Sequence, residues 1–258
     1  MSTNKPNQRM SDIEPSRLAQ LNQGTAEAAT LTECLAVNFA LLMRSVVPEV
    51  AEDAFATMQE AAGEGITRRM SLAARLILQC RGMAAVETLQ HHPSDTVRGW
   101  ACFMIGEDEG HSLSERLCMI RTLADDHHFG VREWAWLAVR PHIADSLHSA
   151  VEQLASWTAE PSERLRRFAC EATRPRGVWC KHLKPLRQQP EIALPVLEPL
   201  RADPAPYVQD SVGNWLNDAS KDQPDWVQDL CARWSIESSA PATARICKRA
   251  LRTINRIR

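Results

Sequence analysis

VRGWACFMIG at residues 97–106, VREWAWLAVRP at 131–141 and LRRFACEATRP at 165–175 are three versions of one phrase, each beginning 34 residues after the last. A fourth and more distant version, VQDSVGNWLND, begins at Val208, 43 residues after Leu165. Apolar residues in all four recur at helical intervals. The segments between them, such as SLSERLCMIRTLADD at 112–126, carry the same period. One helix pair cannot bury its apolar face alone, but stacked pairs share a continuous core. The phrases therefore predict an all-α fold in which helical pairs stack as a solenoid. A plain helical bundle is the competing arrangement, and two unrelated helical domains fit less well because the phrase recurs across the midpoint of the chain.

Outward from these phrases, helical patterning starts near Pro15 and resumes over 31–47, with Thr30 or Thr32 as its cap. It continues over Gly65–Cys80 and Gly82–Gln90, and ends in a basic terminal helix over Pro241–Arg258. Residues 1–17 read as a flexible leader and 18–258 as a single domain. The 258 residues are 44% hydrophobic and 24% charged, enough for a sizeable core and against global disorder. The polar start lacks the apolar centre of a signal peptide. No stretch approaches the roughly 20 apolar residues needed to cross a bilayer. The expectation is a cytoplasmic protein with no membrane partner. The eight cysteines form no C-x-x-C pair, which fits reduced, small residues on helix faces and no metal site. Most of the eight tryptophans are expected in the core, and the His91-His92 and His127-His128 pairs in loops.

The formal charge of −2 excludes a uniformly basic surface, but its distribution is uneven. Residues 164–187 hold Arg164, Arg166, Arg167, Arg174, Arg176, Lys181, Lys184 and Arg187, with Glu171 their one acid. The final segment adds Arg245, Lys248, Arg249, Arg252, Arg256 and Arg258, with no acid after Glu237. Such clusters suit nucleic-acid phosphates, or are simply solvated helix faces. Three carboxylates stand out by their neighbours. Glu133 lies between Arg132 and Trp134, Glu171 follows RRFAC, and Asp218 shares a helix face with Asn214 and Lys221. On residue chemistry alone each has a structural reading too, Glu171 as the partner of an arginine. Phosphate-cradling glycine loops, serine elbows and lysine nucleophile motifs are missing, which removes several enzyme classes.

LNQGTAEAATLTECLAVNFALL, VREWAWLAVRP, RRFACEATRPRGVW and YVQDSVGNWLNDASKDQPDWV together resemble the AlkC branch of the HEAT-like DNA alkylation repair glycosylases, which also include AlkD. The resemblance runs over roughly residues 18–235. It implies a right-handed α-α superhelix of HEAT-like repeats forming a curved solenoid. It also implies hydrolysis of the N-glycosidic bond of cationic N-alkylated bases such as 3-methyladenine, in duplex DNA. By its motifs, the active-site carboxylates are Glu133, Glu171 and Asp218. Trp179 contacts the damaged nucleotide, and Arg167, Arg174, Arg176 and Lys221 serve DNA or the site's framework. The resemblance implies no metal or organic cofactor, and a monomer without an obligate protein partner. Departures are Trp215, where many relatives have histidine before LND, and Asn38, where an acid is common. The immunoglobulin-like C-terminal domain of some relatives is not expected. The rival reading is a non-catalytic HEAT-like module that binds nucleic acid or protein.

Overall fold

The computed structural model describes residues 9–177 and 179–257; residues 1–8 of the expected leader lie outside them. The described residues are all-α, without a strand. Each phrase is a helix: Asp95–Glu107, Phe129–Asp145, Glu163–Ala172 and Pro206–Ala219. Their intervening partners include Leu113–Ala124, opened by a capping box in which Ser112 and Glu115 satisfy each other's backbone amides. Among the described residues no helix is long and apolar enough to cross a membrane.

The second residue of the phrase explains why the repeat has this form. Arg98 Nη1 donates to the carbonyls of His92 (2.8 Å) and Pro93 (3.3 Å), six and five residues earlier. Arg132 Nη1 does the same to Asp126 and His127, both at 2.8 Å, and Arg166 Nη1 to Glu160 and Pro161, both at 2.8 Å. Gln209, in the fourth version, donates to Asp203 O at 2.8 Å, again six residues back. The side chain thus folds over the loop that enters its own helix and satisfies carbonyls no helix can pair. The rest of the guanidinium reaches forward to the next loop. Arg98 Nε and Nη2 grip Asp126 at 2.8 and 3.2 Å, and Arg166 grips Asp203 in the same fork at 2.6 and 3.1 Å. Asp126 and Asp203 in turn accept the amides two residues on, His128 N at 2.7 Å and Ala205 N at 2.9 Å.

The helices gather into two compact units, Met1–His111 with Asp126–Ala138, and Ser112–Asp125 with Val139–Arg258. In the first, Asp95–Glu107 packs on Ile66–Arg81, and Leu42, Met43, Met70, Ile77, Trp100 and Met104 are fully buried. In the second, Pro206–Ala219 packs on Glu163–Ala172 and Pro241–Ala250, over Leu154, Leu197, Trp215, Trp234 and Ile246. Each such apolar side chain contributes about 1.5–3 kcal/mol relative to exposure.

Two sequence expectations change in detail. The single helix over 31–47 is two, Leu31–Ala36 and Phe39–Val46. Asn38 breaks it: its backbone is extended, its Oδ1 accepts Leu41 N at 3.1 Å, and its own amide donates to Asn22 Oδ1 at 2.8 Å. An N-cap of this kind is worth about 1 kcal/mol, and a short polar residue there competes well with helix continuation. Thr30, not Thr32, caps the first of the two. The basic terminal helix is likewise divided, into Pro241–Ala250 and Ile254–Ile257.

Candidate active site

Arg174 stands at the C-terminal end of Glu163–Ala172 and joins two carboxylates. Its Nη1 donates to Glu171 Oε2 at 3.2 Å, while Nε and Nη2 both donate to Asp218 Oδ2 at 3.0 and 2.6 Å. Glu171 and Asp218 are 3% and 4% exposed, so the three form a charged cluster set into the second unit. The remaining oxygens are also engaged. Ser211 Oγ donates to Glu171 Oε1 at 2.9 Å, Arg167 Nη2 lies 3.5 Å from the same oxygen, and Lys221 Nζ meets Asp218 Oδ1 at 3.0 Å. Arg167 also lies over the Tyr207 ring, 4.4 Å from its centroid. Burial opposes the charge on Arg174, but Glu171 and Asp218 more than offset it and hold its pKa above the ordinary value. Both carboxylates are thereby fixed in direction, with Asp218 Oδ1 facing the one partner, Lys221, that is itself 40% exposed.

Trp179 belongs to the loop that leaves this cluster. It is the one non-glycine residue with positive φ (62°) among the described residues, and its side chain is 53% exposed. A bulky residue held left-handed and open to solvent costs of order 1–3 kcal/mol, and persists where its surroundings impose it. Arg140 is what imposes it. From the Phe129–Asp145 helix, its guanidinium donates to Ala172 O (2.9 Å), Arg174 O (2.5 Å) and Lys181 O (3.4 Å), and Leu183 N closes on Pro175 O at 3.0 Å. Gly177 is needed at the crossing, because an added Cβ would stand 2.2 Å from Cys180 Sγ. Arg176 and Arg187 flank the loop and both grip Asp222, at 2.9–3.1 and 2.8–3.0 Å.

Of the residues singled out in the sequence, Glu171, Asp218, Arg167, Arg174 and Lys221 meet in this cluster, and Trp179 and Arg176 lie on its loop. Arg176 is engaged by Asp222. Glu133 lies in the first unit, where its Oε2 accepts the Trp136 indole N–H at 2.9 Å. Asn214 does not join Asp218 and Lys221; it holds Arg249 and Arg252. Trp215 is fully buried and donates to Thr173 O at 2.9 Å, so it ties the loop to the core. The sequence reading left Arg140, Ser211 and Asp222 without a role, and placed Arg187 only in the basic cluster of residues 164–187. Arg140 had a signal: it precedes a proline 34 residues before Arg174, which does the same. The site's polar residues also share a register. Arg167 and Asp210 are third in their phrases, and Glu171 and Asn214 seventh, one turn further on the same face.

Among the described residues, the group with metal-ligand spacing is Cys34, Asp95 and His128, in the first unit, with ligand atoms within 4.8 Å of one another. Its hydrogen-bonding capacity is already used. Asp95 accepts Ala28 N at 3.0 Å and Cys34 Sγ at 3.6 Å, while His128 accepts Gly130 N on Nδ1 at 3.1 Å and donates from Nε2 to Ala28 O at 2.7 Å. Burial, with Asp95 adding to it, pushes the Cys34 thiol far up, against a metal-ready thiolate. His128 is a loop histidine as expected, but buried. The network pins Ala28 and the start of the Phe129–Asp145 helix.

Residues 130–249 match the model of the DNA alkylation repair enzyme family. The likeness to the AlkC/AlkD group read from the motifs is thereby borne out. In fold the chain is similar to the Pseudomonas fluorescens alkylpurine DNA glycosylase AlkC, solved bound to DNA containing an abasic site analog. The TM-score is 0.69 at 21% identity, covering 97% of this chain and 66% of that one. It is also similar to AlkD2 from Streptococcus mutans, with TM-score 0.60 and 21% identity over 78% of this chain and 96% of that one. In sequence, 117 residues are 38% identical to the uncharacterized protein YhaZ of Bacillus subtilis (strain 168), 45% of this chain and 32% of that protein. The chain thus spans about a third of YhaZ and two-thirds of the AlkC chain.

Proposed function

We propose that this protein is a monofunctional DNA glycosylase that hydrolyses the N-glycosidic bond of cationic N-alkylated bases, 3-methyladenine the first candidate. The observation that carries this reading is the fixed pair Glu171 and Asp218, joined by Arg174 at the root of the loop that displays Trp179. The match to the alkylation repair family and the DNA-bound AlkC relative support DNA as the partner. An alkylated purine is already positive and leaves readily. As the bond breaks, cationic character moves onto the deoxyribose, where a fixed carboxylate stabilises the transition state more than the ground state. Asp218 is assigned that role together with orienting the attacking water, with Lys221 moving aside to open Oδ1. Glu171 completes the acidic lining. Trp179 offers a π face to the cationic base or sugar. With water as nucleophile, the product is an abasic site and no Schiff base forms.

One observation favours the rival, a binding module without catalysis: Asp218 already holds Arg174 and Lys221, and a neutralised carboxylate stabilises a nearby cation less than a free one. Release of bases from chemically methylated duplex DNA, followed by mass spectrometry, separates the two. The expected result is release of 3-methyladenine by the native protein and a loss of at least about 100-fold in Asp218→Asn, the scale of removing one preorganised electrostatic group. Equal release by both moves the chemistry to another residue. DNA binding without any release makes the non-catalytic module correct.

A further inference from the structure

The arginines beside the carboxylates are poorly placed to hold a nucleic-acid backbone, because their charges are already spent. Arg174 carries Glu171 and Asp218, Arg176 carries Asp222, and Arg167 lies against Glu171 and Tyr207. To take a phosphate, each must give up an ion pair set in or near the protein interior, and breaking such a pair costs several kcal/mol.

The last long helix offers the opposite situation. Arg249 Nε and Arg252 Nη1 both donate to the same oxygen, Asn214 Oδ1, at 2.9 Å each. An amide oxygen aims a guanidinium without neutralising it, so two cations converge on one neutral anchor. The approach is built into the packing. Gly213 lets the Pro241–Ala250 helix lie so close that a Cβ there would meet Arg249 Cβ at 2.8 Å, and Asn217 holds the end of that helix through Ala250 O at 3.0 Å. Among the described residues, the acid paired with this stretch is Asp210, which is shared between Arg245 (2.7 Å) and Arg249 (3.1 Å); Arg252 has no ion-pair partner. Burial, then the fields of Arg249, Arg174 and Arg256, make the charge on Arg252 harder to carry, although Asp218 pulls the other way. An arriving anion relieves that repulsion. Asn214 lies one helical turn before Asp218, so an anion held there sits beside the carboxylate cluster.

We infer that Asn214, Arg249 and Arg252 form a seat for one backbone phosphodiester of the DNA strand, and that this seat, rather than Arg174 and Arg176, registers the strand against Asp218. The forked guanidinium donors match the oxygens of a phosphodiester in geometry as well as charge. The inference rests on DNA being the partner, as proposed above, but not on base release.

The test is the salt dependence of binding to a short undamaged duplex, read by fluorescence anisotropy. Each phosphate contact contributes about 0.9 to the slope of log K against log salt. Asn214→Asp keeps the acceptor in place and adds the missing negative charge, so the hydrogen bonds that fix both arginines survive. Arg252→Gln removes one cation. Both are expected to flatten the slope by about 0.9 and to weaken binding at low salt, with unchanged thermal melting. Arg233→Gln, whose arginine is bound to Glu198 and Glu237, serves as the surface control with the native slope. A native slope in both Asn214→Asp and Arg252→Gln overturns the seat. Base release is scored separately: a protein that shows the slope change but frees no methylated base keeps the seat and loses the glycosylase reading.

Discussion

Asp222 shows how much a single carboxylate can do here. It accepts from Arg187 and Arg176, one on each side of the loop that carries Trp179, and these hydrogen bonds outweigh its modest burial and bring its pKa down from 3.8 to about 2. A carboxyl depressed on folding contributes stability that is whole above its unfolded value and lost as pH falls through its folded one. The melting temperature of the native protein is therefore expected to drop more steeply than that of Asp222→Asn between about pH 4 and pH 2, and to differ least at the acid end. Parallel melting curves over that window would show that the two arginines do not hold Asp222 in solution. At this scale the sequence was partly legible. Glu171, Asp218 and Trp179 stood in the phrases that carry the resemblance, whereas Asp222 looked like any surface acid after Lys221, because nothing near it in sequence announces Arg176 and Arg187.

Between elements, the repeats differ in what they place at one register. The third residue of the phrase is Gly99, Glu133, Arg167 and Asp210 in turn, so the first copy gives up a side chain where the others carry charge. The reason is close approach: a Cβ on Gly99 would stand 2.5 Å from Trp134 Cε3. Seven residues later, one on Gly106 would stand 2.5 Å from the backbone oxygen of Ala138. A ring can shift slightly; a helix carbonyl cannot. Gly106→Ala is therefore expected to destabilise the protein by about 1–3 kcal/mol in urea unfolding, the cost of overpacking. Gly63→Ala, with nothing within 4 Å of the added methyl, should fall within about 0.5 kcal/mol of the native protein. Equal midpoints for the two variants would mean that these helices are not in tight contact. The helices themselves were readable from the 34-residue period, and so was their order. The break at Asn38 was not, since the apolar run over 31–47 continues across it and only the capping geometry ends the first helix.

For the whole molecule, we propose that residues 18–258 behave as one repeat domain although the helices gather into two units. The boundary between Ala138 and Val139 falls inside the continuous Phe129–Asp145 helix, so neither unit can unfold without cutting into a helix the other uses. Calorimetry is expected to give one transition whose van't Hoff and calorimetric enthalpies agree. Two resolved transitions would assign the units to separate domains. What the sequence by itself determined was the repeated helix and the helix face that Asn214 shares with Asp218. Both depend on interactions within about ten residues, where helical periodicity dictates which side chains meet. Only the tertiary structure decided which charges remain available. Arg174 and Asp218 are 44 residues apart, Arg176 and Asp222 are 46, and Arg252 and Asn214 are 38. Whether an arginine faces a carboxylate or an amide is settled by helix packing, and that choice separates a framework arginine from one free to bind an anion.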